Sequence, residues 1–586
     1  MLTSVRALIA PRLAAVARAV RQRGVKGALR KVLRVVRRDA HYQRWIALYD
    51  TLDADAQAEL ERMVASLTKC PLISIVVPVY NAPAELLSEM IESVRAQIYP
   101  HWELCIADDA SPAPHVRRIL EEYRDRDTRI RVVFREHNGH ICRASNSALE
   151  IATGEFVALL DHDDVLPRHA LAVLARYIDA YPNGRLFYSD EDKISTTGRR
   201  SAPYFKAEWD PELILQQNFF SHLGVFEAGV IRAAGGFRPG FEGSQDHDLV
   251  LRCARLVESR DIIHIPHVLY HWRTIAGSTA VSVTEKPYAV TASVKAVSEH
   301  LRALGNDAVV VPPSADFPFM RVEYSLPERL PVVHLVLLAL HGSVDDRVAN
   351  MLSLLEATSY GNLRITLVAE LSAAALPAEW ATRVKISPAD DLNEIDSRLA
   401  DGDDVVCVCD VRMTPMNDCW LRLMVEHALQ PDVGLVGPAW FARNGSVSAV
   451  GLTLASSDLA VPIRPGDGMG DFGYFGWLGL TRTVSALPAG CVATQLKRLR
   501  AAGGLRITRE VAWSVDLSLR MSAIGARNLV VPRAAVYDDA GEYGRPVDLK
   551  LDGLWLPDGR YSPNLNVTGS VADFDYACPP RIDALG

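Results

Sequence analysis

The feature that most constrains the fold is an apolar run over residues 154–164, GEFVALLDHDD, which ends abruptly in carboxylates. Residues 156–160 carry no charge, which predicts a parallel strand buried on both faces. Asp161, Asp163 and Asp164 would then lie beyond its carboxyl end, where open α/β sheets bind ligands. Three acids so close repel one another unless a hard cation such as Mg²⁺ or Mn²⁺ lies among them. A solvated acidic turn that caps the next helix is the alternative interpretation.

The stretch is preceded by alternating strand and helix patterns. Strands are predicted over 72–81, 101–107 and 131–134, and helices over 84–97, 115–123 and 141–153. This order predicts an α/β fold with a mostly parallel sheet and right-handed crossovers. The second strand ends at Asp108 and Asp109, so two strands deliver acids at their carboxyl ends. Solvated turns alone rarely give that coincidence.

Further polar residues follow downstream. A strand from Leu186 is predicted to end in the acids 190–192, and a last strand over 262–270 leads into His271 and Arg273. Asp246 lies near a predicted helix start. A carboxylate there either caps the helix or acts as a base, and the two roles are compatible.

Charge is distributed unevenly along the 586 residues, whose net charge is -8. Residues 1–40 contain eleven Arg or Lys and one acid, interleaved with apolar residues. Basic amphipathic helices of this kind lie on anionic membrane surfaces. Nucleic-acid binding is disfavoured, because interleaved aromatics are absent and the remaining chain is acidic. A solvated tail is the other alternative. Residues 41–70 read as a helical lead-in.

Two further patterns indicate the compartment. No uncharged apolar stretch approaches the roughly 18 residues of a spanning helix, and no cleavable leader is evident. The nine cysteines are scattered without zinc-type spacing, and Cys407 and Cys409 read as buried thiols. We therefore expect a cytoplasmic protein that is peripheral on the inner face of the cell membrane.

The order of motifs resembles a family 2 glycosyltransferase with the GT-A fold. The matching segments are IVVPVYN at 75–81, DDAS at 108–111, LDHDD at 160–164, GGF at 235–237, QDHDL at 245–249 and YHWR at 270–273. Together they cover roughly residues 71–300. The segments YSDED at 188–192 and YFK at 204–206 resemble the branch that builds bacterial surface polysaccharides such as O-antigen and rhamnose-rich chains.

The resemblance implies a nucleotide-diphosphate sugar as donor. It assigns donor binding to Pro78, Tyr80, Asp108, Asp109, Asp161 and Arg273. The donor would be dTDP-rhamnose or a UDP-sugar, and the acceptor a lipid-linked glycan or a polysaccharide. Cations at Lys193 and Lys206 are further possible phosphate contacts, although surface or salt-bridge roles are commoner.

The resemblance also implies how the reaction runs. Mg²⁺ or Mn²⁺ held by Asp161, Asp163 and His271 would neutralise the diphosphate leaving group. Asp246 would remove the proton of the acceptor hydroxyl. Since no second nucleophilic carboxylate is required, we expect direct displacement with inversion. Many relatives carry the metal-binding His shortly after the last strand, where this chain has Ile275, and His267 competes with His271 for the role.

The second half of the chain repeats the first without its acids. Residues 306–330 read as a Pro-containing linker between a catalytic domain over 71–305 and a degenerate GT-A-like domain over 331–586. Laying Gly402 on Gly154 also aligns Pro415 with Pro167, and a segment around Gly504 matches that around Gly236. This register pairs Asp161 with Cys409, Asp163 with Val411, Asp164 with Arg412 and Asp246 with Ser514. We expect the second domain to lack transferase activity and to serve acceptor binding, packing or assembly, although Asp410 lies one place away from the lost acids.

The sequence therefore predicts a metal-dependent, inverting glycosyltransferase of bacterial cell-surface glycan synthesis. A carbohydrate-binding or scaffold protein with two inert domains is the rival from another class, but a scaffold has no need of the acids at 161–164 and 246. A nucleotidyltransferase is disfavoured, because the turn at 79–83 lacks a glycine-rich basic loop.

Overall fold

The computed structural model describes residues 36–274, 287–340, 345–369, 376–377, 379–388, 404–464, 468–507, 512–549, 559–568, 570–577 and 580. Most of the basic segment 1–40 and the position Ile275 lie outside these ranges. Residues 36–49 are helical. Within the described ranges, no helix combines the length and the apolar character needed to cross a membrane.

The first half alternates strands and helices as the sequence predicts. Its strands are β1 Ile73–Val79, β2 Trp102–Asp108, β3 Ile130–Phe134, β4 Phe156–Leu159, β5 Leu186–Ile194, β6 Arg200–Tyr204, β7 Gly224–Glu227 and β8 Ile262–Arg273. Its helices are α1 Ala54–Ser66, α2 Ala84–Arg95, α3 Pro114–Arg126, α4 His140–Glu150, α5 Ala170–Ala180, α6 Ala228–Ala233, α7 Gln245–Ala254 and α8 Pro287–Ala303. A short 3₁₀ turn spans Leu213–Leu215.

These strands form one sheet in the order β3-β2-β1-β4-β7-β5-β6, with β8 also pairing with β5. Strands β1 to β4 are mutually parallel, whereas β7 is antiparallel to β4 and β5. The carboxyl ends of β1, β2 and β4 therefore meet at one edge, which places their polar residues together. The α/β fold class with a mostly parallel sheet is confirmed.

Strand β5 differs from the prediction, because it does not end at its acids. It continues through Asp190, Glu191 and Asp192, all of which are buried. Each carboxylate has a basic partner there: Asp190 contacts His264 at 2.7 Å, Glu191 contacts His222 at 3.1 Å and Asp192 contacts His271 at 2.6 Å. Buried charges are tolerated only when paired in this way.

The second half contains the remaining elements. Its strands are β9 Ala308–Val311, β10 Arg321–Tyr324, β11 Val333–Leu338, β12 Leu363–Val368, β13 Val384–Ser387, β14 Val405–Asp410, β15 Met413–Pro415, β16 Val433–Phe441, β17 Val447–Ala449, β18 Leu452–Ser456, β19 Leu459–Pro462, β20 Arg482–Val484, β21 Cys491–Gln495, β22 Arg527–Asp538, β23 Val547–Asp548, β24 Leu565–Thr568 and β25 Val571–Tyr576. Its helices are α9 Asp345–Glu356, α10 Trp420–Ala428, α11 Leu496–Ala501 and α12 Trp513–Ala523.

The second large sheet reproduces the first strand by strand. Its order β13-β12-β11-β14-β21-β16-β22 matches β3-β2-β1-β4-β7-β5-β8, with the same parallel and antiparallel pairings. Helices α11 and α12 occupy the positions of α6 and α7. This correspondence supports the duplication that the sequence register indicates, and it places β14 where β4 lies in the first sheet.

The two halves share one apolar core. A continuous cluster of buried side chains contains Phe205 and Phe219 from the first half together with Trp477 and Trp440 from the second. Polar contacts also cross between the halves: Asn564 donates from its Nδ2 to Asp190 Oδ2 at 3.0 Å. The second half is therefore part of the structure that supports the first sheet.

Residues within 306–330, predicted as a linker, include the antiparallel pair β9 and β10. Tyr324 on β10 donates its hydroxyl to Glu212 of the first half at 3.3 Å, and Glu323 pairs with Arg533 of the second at 2.8 Å. This hairpin thus bridges both halves.

The buried Glu212 predicts how stability depends on pH. Burial raises the pKa of Glu212 to about 7, against the opposing charge of Arg527 3.9 Å away. An exposed glutamate has a pKa of about 4.3. Between these two pKa values the folded chain holds a proton on Glu212 that the unfolded chain has released. The stability that this proton contributes is fully present below pH ~4.3 and is lost as the pH rises through ~7. The free energy of unfolding should fall by an amount on the order of 3 kcal/mol over this interval.

We expect Glu212→Gln to remove this loss. Urea unfolding at pH 5 and pH 8 should show that the wild type loses more stability than the variant over this interval. Glu323→Gln, which removes a half-exposed carboxylate, is the matched control. An identical pH dependence in wild type and Glu212→Gln would contradict the expectation.

Candidate functional site

A cleft that is open to solvent lies at the carboxyl edge of the first sheet. It is lined by Val76, Pro78, Ile141, Ser145, Leu159, Leu160, Asp161, Phe220, Ser221, His222, Gly224, Phe226, Phe237, Gln245, Asp246 and Val250. The cleft therefore brings together Asp161 and Asp246, which are 85 positions apart in the sequence. The walls are apolar and a few polar groups converge inside, as in a ligand site.

The acidic turn after β4 is tightly folded. The amide of Asp164 donates to the carbonyl of Asp161 at 3.2 Å. Burial and the neighbouring Asp163 raise the pKa of Asp161, while the positive charge of His222 opposes the rise. Carboxylates crowded in this way are the donor set that a hard divalent cation relieves, so Asp161 and Asp163 fit such an ion.

Asp164 has a different role from its neighbours. It is 1% exposed, its Oδ2 accepts from the Tyr270 hydroxyl at 2.5 Å, and its Oδ1 accepts from the Arg273 amide at 2.7 Å. Burial, with repulsion from Asp161 and Asp163, raises the pKa of Asp164 well above its usual range. The carboxyl of Asp164 therefore fastens the turn to β8.

Arg273 reinforces the same turn. Its Nε donates to the carbonyl of Asp163 at 2.7 Å, and its guanidinium pairs with Glu89 at 2.7 Å. The side chain is almost fully buried. Arg273 thus holds the acidic turn in place, and its guanidinium is engaged by groups of the protein itself.

His271 pairs through its main chain with Val165, directly after the acidic turn, but its side chain contacts β5. Its Nδ1 is 2.6 Å from Asp192 Oδ1, and Asp192 also accepts from the Tyr42 hydroxyl and from Arg200. Burial lowers the pKa of the competing His267 to about 4. Its ring packs against Tyr177.

Potential metal ligands converge elsewhere in the described residues. The one group of three whose ligand atoms all lie within 4.8 Å of one another consists of Cys407, Cys409 and Cys491, buried in the second sheet. Asp161 and Asp163 thus do not converge with His271 on one point in this structure. His271 lies opposite Asp192 in the register of β5 and β8, and only the tertiary fold brings these two residues together.

The acids after β2 are also engaged. Asp109 is buried, its Oδ1 accepts from the Gly139 amide at 2.9 Å, and it pairs with Arg135 at 2.8 Å. Asp108 accepts from the Ser111 amide at 3.2 Å. These bonds fix the loop before α4 at the same edge of the sheet as the cleft. Pro78 lines the cleft, whereas Tyr80 is 47% exposed beyond the end of β1.

Asp246 occupies the second position of α7 and faces the cleft. Its Oδ2 accepts from Asn218 Nδ2 at 2.8 Å. A carboxylate that faces the cleft in this way can accept a proton from a bound hydroxyl.

His222 is a cleft residue that the sequence did not single out. Burial opposes its protonation, but the hydrogen bond to Glu191, at 3.1 Å from its Nδ1, and the charges of Glu191 and Asp161 raise the pKa of His222 to about 9. Its ring stacks on Tyr270 with centroids 4.6 Å apart. The buried Lys206 donates to the carbonyl of His222 at 2.8 Å, so this cation supports the cleft wall.

The corresponding positions of the second half have other contacts. Arg412 pairs with Asp410 at 2.7 Å and with Glu542 at 3.0 Å, so a guanidinium neutralises the acid that remains there. Ser514 is fully buried and donates to the carbonyl of Leu487 at 2.8 Å. Neither arrangement offers a carboxylate pair to a ligand.

The sequence is similar to those of known proteins. The profile of Glycosyl transferase family 2 matches residues 74–232. Uncharacterized protein y4gI of Sinorhizobium fredii is 40% identical over 542 residues, covering 86% of this chain and 59% of that protein. O-antigen biosynthesis protein RfbC of Myxococcus xanthus is 32% identical over 552 residues, covering 90% of this chain and 42% of that protein. The chain spans about half the length of the curated relatives it matches.

Among solved structures, the crystal structure of S. aureus TarS 1-349 in complex with UDP-GlcNAc is 22% identical to this chain. The match covers 39% of this chain and 66% of that one, with a TM-score of 0.33.

The anchoring of Asp164 leads to a prediction for stability. Tyr270→Phe removes the hydroxyl that donates to this buried carboxyl, and losing the partner of a buried polar group costs about 1–3 kcal/mol. Urea unfolding should therefore show a lower free energy of unfolding for the variant. Tyr80→Phe removes a phenol hydroxyl from a half-exposed ring and is the control. Equal stability of the two variants would contradict an anchoring role for Asp164.

Proposed function

Residues 74–232 form a family 2 glycosyltransferase domain, and from this premise we propose that the chain transfers a sugar, with inversion, from a nucleotide-diphosphate sugar to a lipid-linked or polysaccharide acceptor in bacterial cell-surface glycan synthesis. The observation that carries the proposal is the cleft in which Asp161 and Asp246 face the same space. The similarity to an O-antigen biosynthesis protein supports the glycan context. The proposed donor is dTDP-rhamnose or a UDP-sugar.

Asp246 is the proposed general base. It is held by Asn218 at 2.8 Å and faces the cleft from the first turn of α7. An acceptor hydroxyl bound there would lose its proton to this carboxylate as it attacks the anomeric carbon. The attack comes from the face opposite the leaving diphosphate, so one displacement inverts the configuration.

Asp161 and Asp163 are the proposed ligands of Mg²⁺ or Mn²⁺, with His271 as a third. Such an ion, when bound, supplies positive charge to the diphosphate leaving group. Asp164, Tyr270 and Arg273 keep the acidic turn in place by the bonds described above. His271 is hydrogen-bonded to Asp192 in this structure, so its participation requires that contact to change.

The nucleotide is proposed to lie along the carboxyl ends of β1 and β2. Pro78 and Tyr80 follow β1, and Asp108 and Asp109 follow β2. Asp109 orders the loop before α4 through Gly139 and Arg135. Main-chain groups of this loop would contact the nucleobase of the donor. A fixed loop at this edge is the usual place for a nucleotide in a parallel sheet.

A scaffold protein that binds carbohydrate without catalysis is the second candidate. Its supporting observation is the second half, where Arg412 and Ser514 replace the acids. The crowded carboxylates of the first half favour catalysis instead, because an inert binding site gains nothing from their mutual repulsion.

The proposed roles of the acids are tested by nucleotide diphosphate release from a panel of donors, with and without Mn²⁺ or Mg²⁺. Asp163→Ala should abolish turnover and metal-dependent nucleotide binding. Asp246→Asn should abolish turnover while donor binding stays near that of the wild type, because only the base is lost. Asp125→Ala, at an exposed aspartate of α3, is the control.

Full activity in Asp163→Ala or Asp246→Asn would remove that residue from the mechanism. The two variants together also test the second half. A low residual rate that is equal in Asp163→Ala and Asp246→Asn, which disable the first half at different groups, would point to transfer by the second half and contradict its proposed inertness.

The protein is further proposed to act on the cytoplasmic face of the membrane, held by the basic N-terminal segment. A variant that lacks residues 1–35 retains the described helix over 36–49. It should lose binding to vesicles of anionic lipid, because most of the cationic side chains of the segment are gone. Co-sedimentation at low and high salt measures this. Binding equal to that of the full chain would refute the anchor.

A further inference from the structure

Asn218 has an amide oxygen without a partner. Its Nδ2 donates to Asp246 Oδ2 at 2.8 Å, whereas its Oδ1 is buried and accepts no hydrogen bond within the described structure. The orientation of the amide follows from chemistry, because an ionised carboxylate only accepts and must face the NH₂ group. The oxygen is therefore the free atom.

A buried acceptor of this kind normally has a partner. Asn218 contacts Asp246, which lines the cleft, although Asn218 is itself not one of the lining residues. A sugar hydroxyl that enters beside Asp246 would supply the donor that Oδ1 lacks.

The segment that carries Asn218 is fastened to the second half. Gln216 donates from its Nε2 to the carbonyl of Thr481 at 2.6 Å, and its Oε1 accepts from the amide of the same residue at 3.1 Å. Asp210 accepts from the amide of Thr483 at 2.7 Å and from its hydroxyl at 3.0 Å. Asp210, Gln216, Thr481 and Thr483 are all buried.

A second contact with the other half holds Gln217, the residue before Asn218. Gln217 donates from its Nε2 to the hydroxyl of Tyr204 at 2.9 Å, and the ring of Tyr204 stacks on Phe475 of the second half with centroids 3.7 Å apart. The segment 210–218 is thus bound along its length to residues that the second half contributes or supports. Its last residue reaches Asp246.

We infer that Asn218 binds a hydroxyl of the acceptor sugar through Oδ1 while it orients Asp246 through Nδ2, and that the second half serves the reaction by fixing the segment 210–218 that presents it. This inference rests on the proposed function and assigns to it both an acceptor contact and a role for the degenerate domain. The second half then contributes to the catalytic site without catalytic groups of its own.

The test uses the full chain with a donor and an acceptor that give turnover in the wild type. Asn218→Ala should raise KM for the acceptor and lower kcat, by about tenfold each for a single lost hydrogen bond, with donor Kd unchanged. Asn218→Asp keeps the size of the side chain but faces Asp246 with a second carboxylate. It should therefore fall below Asn218→Ala in kcat.

The comparison of kcat between Asn218→Asp and Asn218→Ala separates a role in the reaction from a purely structural role. If Asn218 only filled space, the isosteric Asp variant would be the milder one and acceptor KM would stay unchanged. Either result would overturn the inference, and so would donor Kd rising together with acceptor KM. If Asn218→Asp does not fold, the split between KM and Kd in Asn218→Ala still decides.

The contribution of the second half is tested with matched glutamines. Gln216 and Gln430 each donate to the carbonyl four residues earlier, at 3.1 and 2.9 Å, but only Gln216 also pairs with Thr481. Gln216→Leu should reproduce the rise in acceptor KM with donor Kd unchanged, and Gln430→Leu should behave as the wild type. Equal kinetics in both variants would refute the supporting role. A wild type without transfer to any acceptor would instead refute the proposed function.

Discussion

The attachment of Asp164 to β8 is the interaction on which the site depends. The Tyr270 hydroxyl and the Arg273 amide hold this buried carboxyl, and Arg273 also holds the carbonyl of Asp163. The turn after β4 is therefore attached to β8, and Asp161 at its start lines the cleft. Three mutually repelling carboxylates are tolerated in this turn because the bonds of Asp164 to β8 fix the turn that carries Asp161 and Asp163.

The second half keeps the framework and changes the chemistry. Its sheet has the same strand order, yet Arg412 neutralises Asp410 and Ser514 is bonded to a main-chain carbonyl. These contacts engage Asp410 and Ser514 within the protein. Its surface instead serves the first half: Thr481 and Thr483 bind the segment 210–218, and Asn564 reaches Asp190. Duplication has in this way supplied a support for the cleft.

Much of this arrangement is readable in the sequence, because it follows from local pattern. Largely apolar runs predict β1, β2 and β4, and parallel pairing brings Asp108 and Asp161 to one edge. Self-similarity at the repeat predicts the second sheet, including the loss of acids at Cys409 and Val411. The assignments to Asp161, Asp163 and Asp246 remain predictions, which the geometry of the cleft supports. What depends on tertiary contacts could not be predicted: the engagement of His271 by Asp192, the charge of His222, and the bond from Asn218 to Asp246. Such pairs are far apart in sequence, and no periodicity signals them. The sequence pattern ends this strand at the acids 190–192, whereas β5 continues to Ile194, because the buried basic partners of the acids lie on other elements.

In the proposed mechanism the chain has one nucleotide site, in the first half, and the duplicated half has none. Isothermal titration of the full chain with a nucleoside diphosphate in the presence of Mn²⁺ measures the number of sites directly. One site per chain is expected in the wild type and in Cys409→Ser, and none in Asp163→Ala. Two sites per chain, or one site that survives in Asp163→Ala, would contradict it.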